Sequence, residues 1–171
     1  MAALRLALPN DAPSLAILSE RTFRDAFGVR NSPENMDLHC SRFFGPDIQL
    51  REIGDRGIVT MLADHAGTLV GFPQLKVPSV SPSVPAAKPA ELNRIYVTAE
   101  WQGRGVAQSL MKQALTDAAR AGCDRLWLGV WEHNPKAMAF YKKHGFEIVG
   151  AQSFMLGQER QRDLVMAIPV G

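Results

Sequence analysis

The chain has few cysteines and no long hydrophobic run, and these two deficits exclude several classes of protein. Its two cysteines, Cys40 and Cys123, form neither a metal-binding spacing nor a disulfide framework. No apolar stretch approaches the ~20 residues of a transmembrane helix, so we expect no membrane partner. The net charge of +2 is small and no basic run is present, so we expect no nucleic-acid partner either.

The length and the start of the sequence limit its organisation. A chain of 171 residues can build one sizeable core but not two comfortable ones, so we predict a single domain over residues 1–171. Pro9, Asn10 and Asp11 interrupt the apolar start of the chain before a signal-peptide core could form. We therefore expect a cytoplasmic location.

Hydrophobic periodicity predicts an α/β (α+β) fold, in which helices pack on a mixed sheet. A segment rich in proline and serine, residues 78–90, is predicted to be a surface loop beside the bound ligand. Strands are predicted at 4–8, 57–64, 67–77, 91–97, 125–131, 147–151 and 162–168, and helices at 10–28, 33–44, 106–121 and 134–144.

The third predicted helix begins without the usual side-chain cap. The residues before it, Gln102 to Gly105, include no Ser, Thr, Asp or Asn, although the first-turn N–H groups of a helix need acceptors. Gly103 and Gly105 leave room for an anion to approach the backbone at the positive end of the helix dipole. A glycine-rich turn that only reverses the chain is the alternative. The segment lacks the Lys-Ser/Thr of a P-loop and the third glycine of a dinucleotide fingerprint.

Two motifs in this half of the chain resemble those of the GNAT superfamily of acyl-CoA-dependent N-acyltransferases. The pyrophosphate-loop pattern Gln/Arg-x-x-Gly-x-Gly/Ala is matched by Gln102, Gly105 and Ala107. The resemblance implies a single-domain GNAT fold with a mixed, mostly antiparallel, seven-stranded sheet and about four helices. Segments 22–28 and 37–44 look most like the small-amine and polyamine acetyltransferase branch. The second pattern, Asn-x-x-Ala-x-x-Phe-Tyr-x-x-x-Gly-Phe, is matched by Asn134, Ala137, Phe140, Tyr141, Gly145 and Phe146.

The same resemblance implies that acetyl-CoA is the co-substrate and that no metal is required. Asn134 would hydrogen-bond the pantetheine arm, although an N-cap before a proline is the alternative role for it. Lys136 or Lys143 would meet the 3′-phosphate, unless both are solvated surface charges. The pyrophosphate would be held by the backbone amides of Gln102, Gly103, Arg104, Gly105, Val106 and Ala107, and the arm would pair with the strand edge at Ile95, Tyr96 and Val97.

The reaction implied is attack of an amine on a thioester, which requires a base and benefits from an acid. Deprotonating an alkylamine of pKa ~10.4 at pH 7 costs roughly 4 to 5 kcal/mol. Glu91 stands where the histone-modifying branch has its glutamate base, and Glu132 is the second candidate. An exposed structural glutamate is the alternative for Glu91. Tyr141 is the predicted acid for the departing thiolate, with a core aromatic beside Phe140 as its alternative.

The remaining histidines and aromatic residues have simpler expected roles. His133 and His144 are further candidate bases, although charge on His144 would also complement a helix C-terminus. Trp127 and Trp131 share one face of a strand, and we expect them to form core or acceptor-pocket walls. Cys123 is expected to pack in the core rather than act as a nucleophile.

We predict an acetyl-CoA-dependent N-acetyltransferase that acts on the primary amine of a polyamine-like small molecule by direct transfer in a ternary complex. The alternative within this class is acetylation of a peptide or protein, at an N-terminal amine or a lysine. The alternative from another class is a non-catalytic acyl-CoA-binding sensor. The expected partners are the small-molecule amine and, for a possible homodimer, a second copy of the chain.

Overall fold

A seven-stranded sheet with helices on both faces organises the chain, and the computed structural model describes it over residues 1–171. The strand order is β1-β2-β3-β4-β5-β7-β6, and every neighbouring pair is antiparallel except β4–β5. The predicted mixed, mostly antiparallel, seven-stranded sheet is confirmed. The strands are β1 Ala3–Leu6, β2 Ile58–His65, β3 Thr68–Lys76, β4 Pro89–Val97, β5 Arg125–Trp131, β6 Glu147–Leu156 and β7 Glu159–Pro169.

The structure has five α-helices, one more than the four predicted. The additional helix is short, and the residue it buries is a glutamine, Gln49, so it carries little hydrophobic periodicity. No helix combines the length and hydrophobicity needed to cross a membrane. The helices are α1 Ala12–Phe27, α2 Pro33–Phe43, α3 Pro46–Gly54, α4 Val106–Arg120 and α5 Pro135–Lys143.

The two faces of the sheet carry separate hydrophobic cores. Helix α4 packs on one face, where Met111 and Ala114 contact the core of β4 and β5. Helices α1 and α2 cover the other face, where Phe23 and Met36 pack near β6. Both cysteines are buried free thiols, and Cys123 belongs to the core on the α4 face. The sheet thus separates two hydrophobic cores, one beneath α4 and one beneath α1 and α2.

The centre of the sheet is open because β4 and β5 pair over only a short length. Their parallel pairing is limited to three residue pairs, ending at Glu91 and Trp127. Directly afterwards the register of β4 against β3 shifts, so that Asn93 has no partner between Leu92 and Arg94. Such a bulge bends a strand and increases its local twist. β4 therefore leaves β5 after Glu91, and a gap opens between the two strands.

The segment rich in proline and serine packs against the sheet. Val84 is buried in a cluster with Trp127 of β5, and the backbone amides of Ala87 and Lys88 donate to the Asp124 carboxylate. Residues 78–90 line none of the three cavities described below. The expectation that this segment lies beside the ligand is therefore not supported.

Candidate functional site

The start of α4 presents a row of free backbone donors. Gly105 is the N-cap, with φ of 84° and no side-chain cap, and Gly103 also has a positive φ of 76°. No backbone or side-chain acceptor bonds the N–H groups of residues 103–108. A Cβ built on either glycine would have no atom within 4 Å, so the space above both residues is open. This arrangement suits an anion with several oxygens.

A cavity of about 620 Å³ lies next to these donors, between the unpaired end of β4 and helix α5. We call it the cleft cavity. The structure brings most of the predicted binding residues to it, but not Lys143, and Arg104, Gly105 and Val106 line a separate cavity of about 380 Å³. The lining residues of the cleft cavity are Thr22, Asp25, Ala26, Ile95, Tyr96, Val97, Ala99, Gln102, Gly103, Ala107, Gln108, Asn134, Lys136, Ala137, Phe140 and Tyr141.

Hydrogen bonds of polar side chains connect the elements at the entrance of the cleft cavity. The Gln102 side-chain amide donates to the carbonyl of Val97 at 3.2 Å, which ties the glycine-rich loop to the end of β4. The Lys136 Nζ lies 3.5 Å from Gln102 Oε1. Asn134 accepts from the N–H of Ala137 with its Oδ1, so it does cap α5. Its Nδ2 makes no hydrogen bond within the protein and remains a donor at the cavity wall.

Tyr141 lies at the inner wall of the cleft cavity, with its ring edge-on to Phe140 and Phe146. Desolvation, with a smaller contribution from Tyr96, raises the pKa of Tyr141 well above its ordinary value. Desolvation also raises the pKa of Tyr96 to about 12. Both phenols are therefore neutral near pH 7, and each has a hydroxyl proton available for donation.

We call a second cavity, of about 740 Å³, the polar cavity. It shares no lining residue with the cleft cavity, but His133 lines the polar cavity and the next residue, Asn134, lines the cleft cavity, so both reach the junction of β5 and α5. The Trp131 ring forms a wall beside Phe27, at 5.8 Å between centroids. The lining residues are Arg30, Trp131, Glu132, His133, Ala151, Gln152, Ser153, Glu159, Arg160, Gln161 and Arg162.

The two candidate glutamate bases lie in different places. Glu132 is at the polar cavity, where its carboxylate accepts from Arg162 at 3.3 Å and lies 3.5 Å from His133 Nε2. Glu91 lines neither cavity, and its carboxylate accepts a hydrogen bond of 2.7 Å from the Ser79 hydroxyl. It is five residues before Tyr96, about 16 Å along an extended strand. The role of Glu91 as base stays a prediction.

His39, His144 and Trp127 have surroundings that indicate structural roles. His39 is buried and stacked on Phe23 at 4.1 Å, and desolvation lowers its pKa to about 4. At the end of α5, burial lowers the pKa of His144. Trp127 is a core residue whose Nε1 donates to the carbonyl of Ser79. No group of three or more His, Cys, Asp or Glu is placed to hold a metal ion.

Sequence reasoning missed a buried acidic residue whose sheet neighbours line the polar cavity. Asp163, on β7, is 7% exposed, and desolvation raises its pKa to about 6. Its partners in the sheet are Trp131 and Gln152, which both line the polar cavity. The signal in the sequence is the alternation of the strand, because Asp163 occupies the same face as the buried Val165 and Ala167.

Comparison with known proteins identifies a family and several relatives of the chain. Residues 20–146 match the acetyltransferase (GNAT) family. An uncharacterized N-acetyltransferase of Mycobacterium bovis is 33% identical over 162 residues, covering 91% of this chain and 96% of the relative. Another, encoded in the pepI 3′ region of Lactobacillus delbrueckii subsp. lactis, is 31% identical over 156 residues, covering 91% and 90%.

The fold is shared with solved structures at lower identity. The crystal structure of the PaiA N-acetyltransferase from Thermoplasma acidophilum in complex with coenzyme A superposes with a TM-score of 0.79 at 20% identity, over 99% of each chain. The fold, the uncapped helix start with its glycines and the match over residues 20–146 lead to one conclusion: the chain belongs to the acetyltransferase (GNAT) family.

Proposed function

We propose that this chain transfers the acetyl group of acetyl-CoA to the primary amine of a small molecule, by direct transfer in a ternary complex. The observation that carries the proposal is the presence of two cavities that both reach the junction of β5 and α5, one of them beside the free amides of α4. Donor and acceptor would occupy the two cavities at the same time, so no acyl-enzyme would be needed. The buried position of Cys123 in the core is consistent with this.

The donor would bind along the cleft cavity. The N–H groups of residues 103–108 would hold the pyrophosphate, and the free edge of β4 at residues 95–97 would pair with the amides of the pantetheine arm. Asn134 would donate its free Nδ2 to the same arm, and Lys136 would supply positive charge at the cavity mouth. The thioester would then lie beside Tyr141, whose hydroxyl donates to the departing thiolate.

The proposed acceptor is a small molecule because the polar cavity has the volume of a small-molecule site. The polyamine-like acceptor remains a proposal. Arg30, Arg160 and Arg162 line this cavity together with Glu132 and Glu159, so a polycation would meet positive charge at the mouth. The rates of acetylation of monoamines, polyamines and a peptide N-terminus should therefore be measured in the same assay.

The first expected result is release of CoA that depends on the added amine. A thiol-detecting assay with acetyl-CoA and a panel of primary amines measures it, with the N,N-dimethyl form of each amine as a control that keeps the charge but cannot form the amide. Initial rates at varied concentrations of both substrates should give intersecting reciprocal plots. Binding of acetyl-CoA without amine-dependent turnover would instead identify a sensor.

The second expected result concerns Glu91. If this residue is the base, Glu91→Gln should lower the rate near pH 7 and recover at high pH, because the amine then arrives neutral. The recovery should begin at lower pH for an α-amine of pKa ~8 than for a polyamine of pKa ~10. The measurement is the pH profile of kcat/KM for the acceptor, with Glu132→Gln in parallel. An unchanged profile for Glu91→Gln would place the base elsewhere.

A further inference from the structure

We propose that Asp163 binds the ammonium group of the acceptor and receives the proton that the nitrogen must lose before it attacks. The inference rests on the proposed function and adds a catalytic residue and a binding determinant to it. Asp163 lines neither cavity itself, but its sheet neighbours Trp131 and Gln152 line the polar cavity. Its charge also makes a small contribution to the raised pKa of Tyr96, which lines the cleft cavity.

The carboxylate of Asp163 has no partner within the protein. No side chain or backbone group hydrogen-bonds it, and it forms no ion pair, although the residue is 7% exposed. Buried carboxylates ordinarily accept several hydrogen bonds. Neither of its oxygens is among the fully enclosed side-chain atoms that lack a partner, so the carboxylate still faces open space. An unpartnered acid that reaches open space and whose sheet neighbours line a cavity is suited to a cationic ligand.

The neighbouring strand leaves room for this carboxylate. A Cβ at Gly129 of β5 would lie 2.9 Å from Asp163 Oδ2 and 2.7 Å from Gln152 Nε2. Any side chain at position 129 would therefore displace both polar groups. The glycine in the middle of β5 gives Asp163 its place on the face of the sheet that carries Tyr96 and Trp131.

The other acids of the site are less suited to receive an ammonium proton. The Glu91 carboxylate is hydrogen-bonded by Ser79 outside both cavities. The Glu132 carboxylate is paired with Arg162. Glu159 and Asp25 are exposed at the cavity rims, where water solvates them. Asp163 alone among these acids is both buried and without a partner.

The chemistry balances with the groups present. Asp163 takes one proton from the ammonium, the freed lone pair forms the C–N bond at the thioester carbonyl carbon, and the C–S bond breaks. The thiolate takes a proton from Tyr141, and the second amine proton restores the phenol. Asp163 releases its proton to solvent. Burial raises the pKa of Asp163 from 3.8 to about 6, which narrows the gap to an alkylamine of pKa ~10.4.

The same burial has a consequence for stability. Because the pKa of Asp163 in the fold lies above its ordinary value, its ionised form destabilises the fold above about pH 6, and this effect disappears as the pH falls from about 6 toward 3.8. Desolvation alone accounts for the shift. The charged and titratable groups on this side of the sheet include Arg94 and Tyr96 of β4, Asp25 of α1, Arg30 after it, His39 of α2, Glu132 and His133 after β5, and Glu159, Arg160 and Arg162 of β7.

The test is Asp163→Asn, which keeps the shape and removes the charge. We expect kcat/KM for the acceptor to fall about 10²-fold near pH 7, the scale of a positioned base, and to recover partly at high pH. The Kd for acetyl-CoA should stay within twofold. Tm should exceed that of the wild type at pH 8, and the difference should narrow below pH 6. A merely structural aspartate would give the opposite change in Tm.

Controls separate this inference from the proposed function. Glu147→Gln, which neutralises an exposed carboxylate of β6 outside all three cavities, is the matched control. Gly129→Ala, which displaces the carboxylate of Asp163 without removing it, should also lower kcat/KM for the acceptor. If the wild type turns over amines and folded Asp163→Asn retains its kcat/KM within threefold, the inference is overturned while the proposed function stands. A wild type that binds acetyl-CoA but acetylates no amine would overturn both.

Discussion

Replacing Tyr141 with phenylalanine is expected to lower kcat roughly 10²-fold and to leave the KM for acetyl-CoA little changed. A positioned acid contributes on this scale, and the lost hydroxyl acts mainly in the transition state. Desolvation holds the pKa of Tyr141 well above its ordinary value, so the phenol stays protonated throughout the usual assay range. The loss should therefore be nearly independent of pH between 6 and 9, unlike the loss from removing a base.

The matched control is Tyr96→Phe, because Tyr96 is the second phenol of the cleft cavity and also has a raised pKa. It belongs to the opposite core and is expected to affect kcat much less. Steady-state kinetics with one amine and varied acetyl-CoA measure both variants. Wild-type kcat in Tyr141→Phe would assign the proton to another donor, and equal losses in both variants would indicate a general effect on the cavity.

Replacing Gly105 with valine is expected to raise the Kd for acetyl-CoA tenfold or more, which corresponds to about 1.4 kcal/mol. The space above Gly105 is open to a Cβ, so the valine would occupy the volume that the pyrophosphate needs and shield the free amides of α4. Calorimetric titration with acetyl-CoA or CoA measures the change directly.

Strain must be separated from blocked binding, because Gly105 has a φ of 84° that valine adopts poorly. Gly67, in the turn between β2 and β3, has the same φ of 84° and equally open surroundings. Gly67→Val should therefore have a similar stability cost and leave the Kd unchanged. A folded Gly105→Val with wild-type affinity would remove the main support for a pyrophosphate at the start of α4.

The parts of the site that follow from local chemistry could be predicted from the sequence. The uncapped start of α4 is visible because Gly103 and Gly105 stand where a capping side chain is expected, and no tertiary information is needed to see it. The same holds for Asn134 and Tyr141, which a single motif places on one short helix. Their distances along the chain are small, so helix geometry alone brings them together.

Features that depend on strand register could not be predicted. Strict alternation puts Glu91 on the same face as Ile95, but the bulge at Asn93 reverses the faces between them. Leu92 and Ile95 accordingly pack in the same core, and Glu91 points away from it. The sequence alone does not single out Asp163, because its position beside the polar cavity depends on its pairing with Trp131 and Gln152, which belong to strands distant in the sequence.

The short pairing of β4 with β5 also has a consequence for the cohesion of the molecule. The sheet consists of two lobes, β1 to β4 and β5 to β7, whose seam has only three residue pairs. A donor molecule seated along the open part of the seam would bridge the lobes. By mass action, a ligand at one hundred times its Kd stabilises a fold by about 2.7 kcal/mol. The stability of the junction between the two lobes would thus depend on the concentration of acetyl-CoA relative to its Kd.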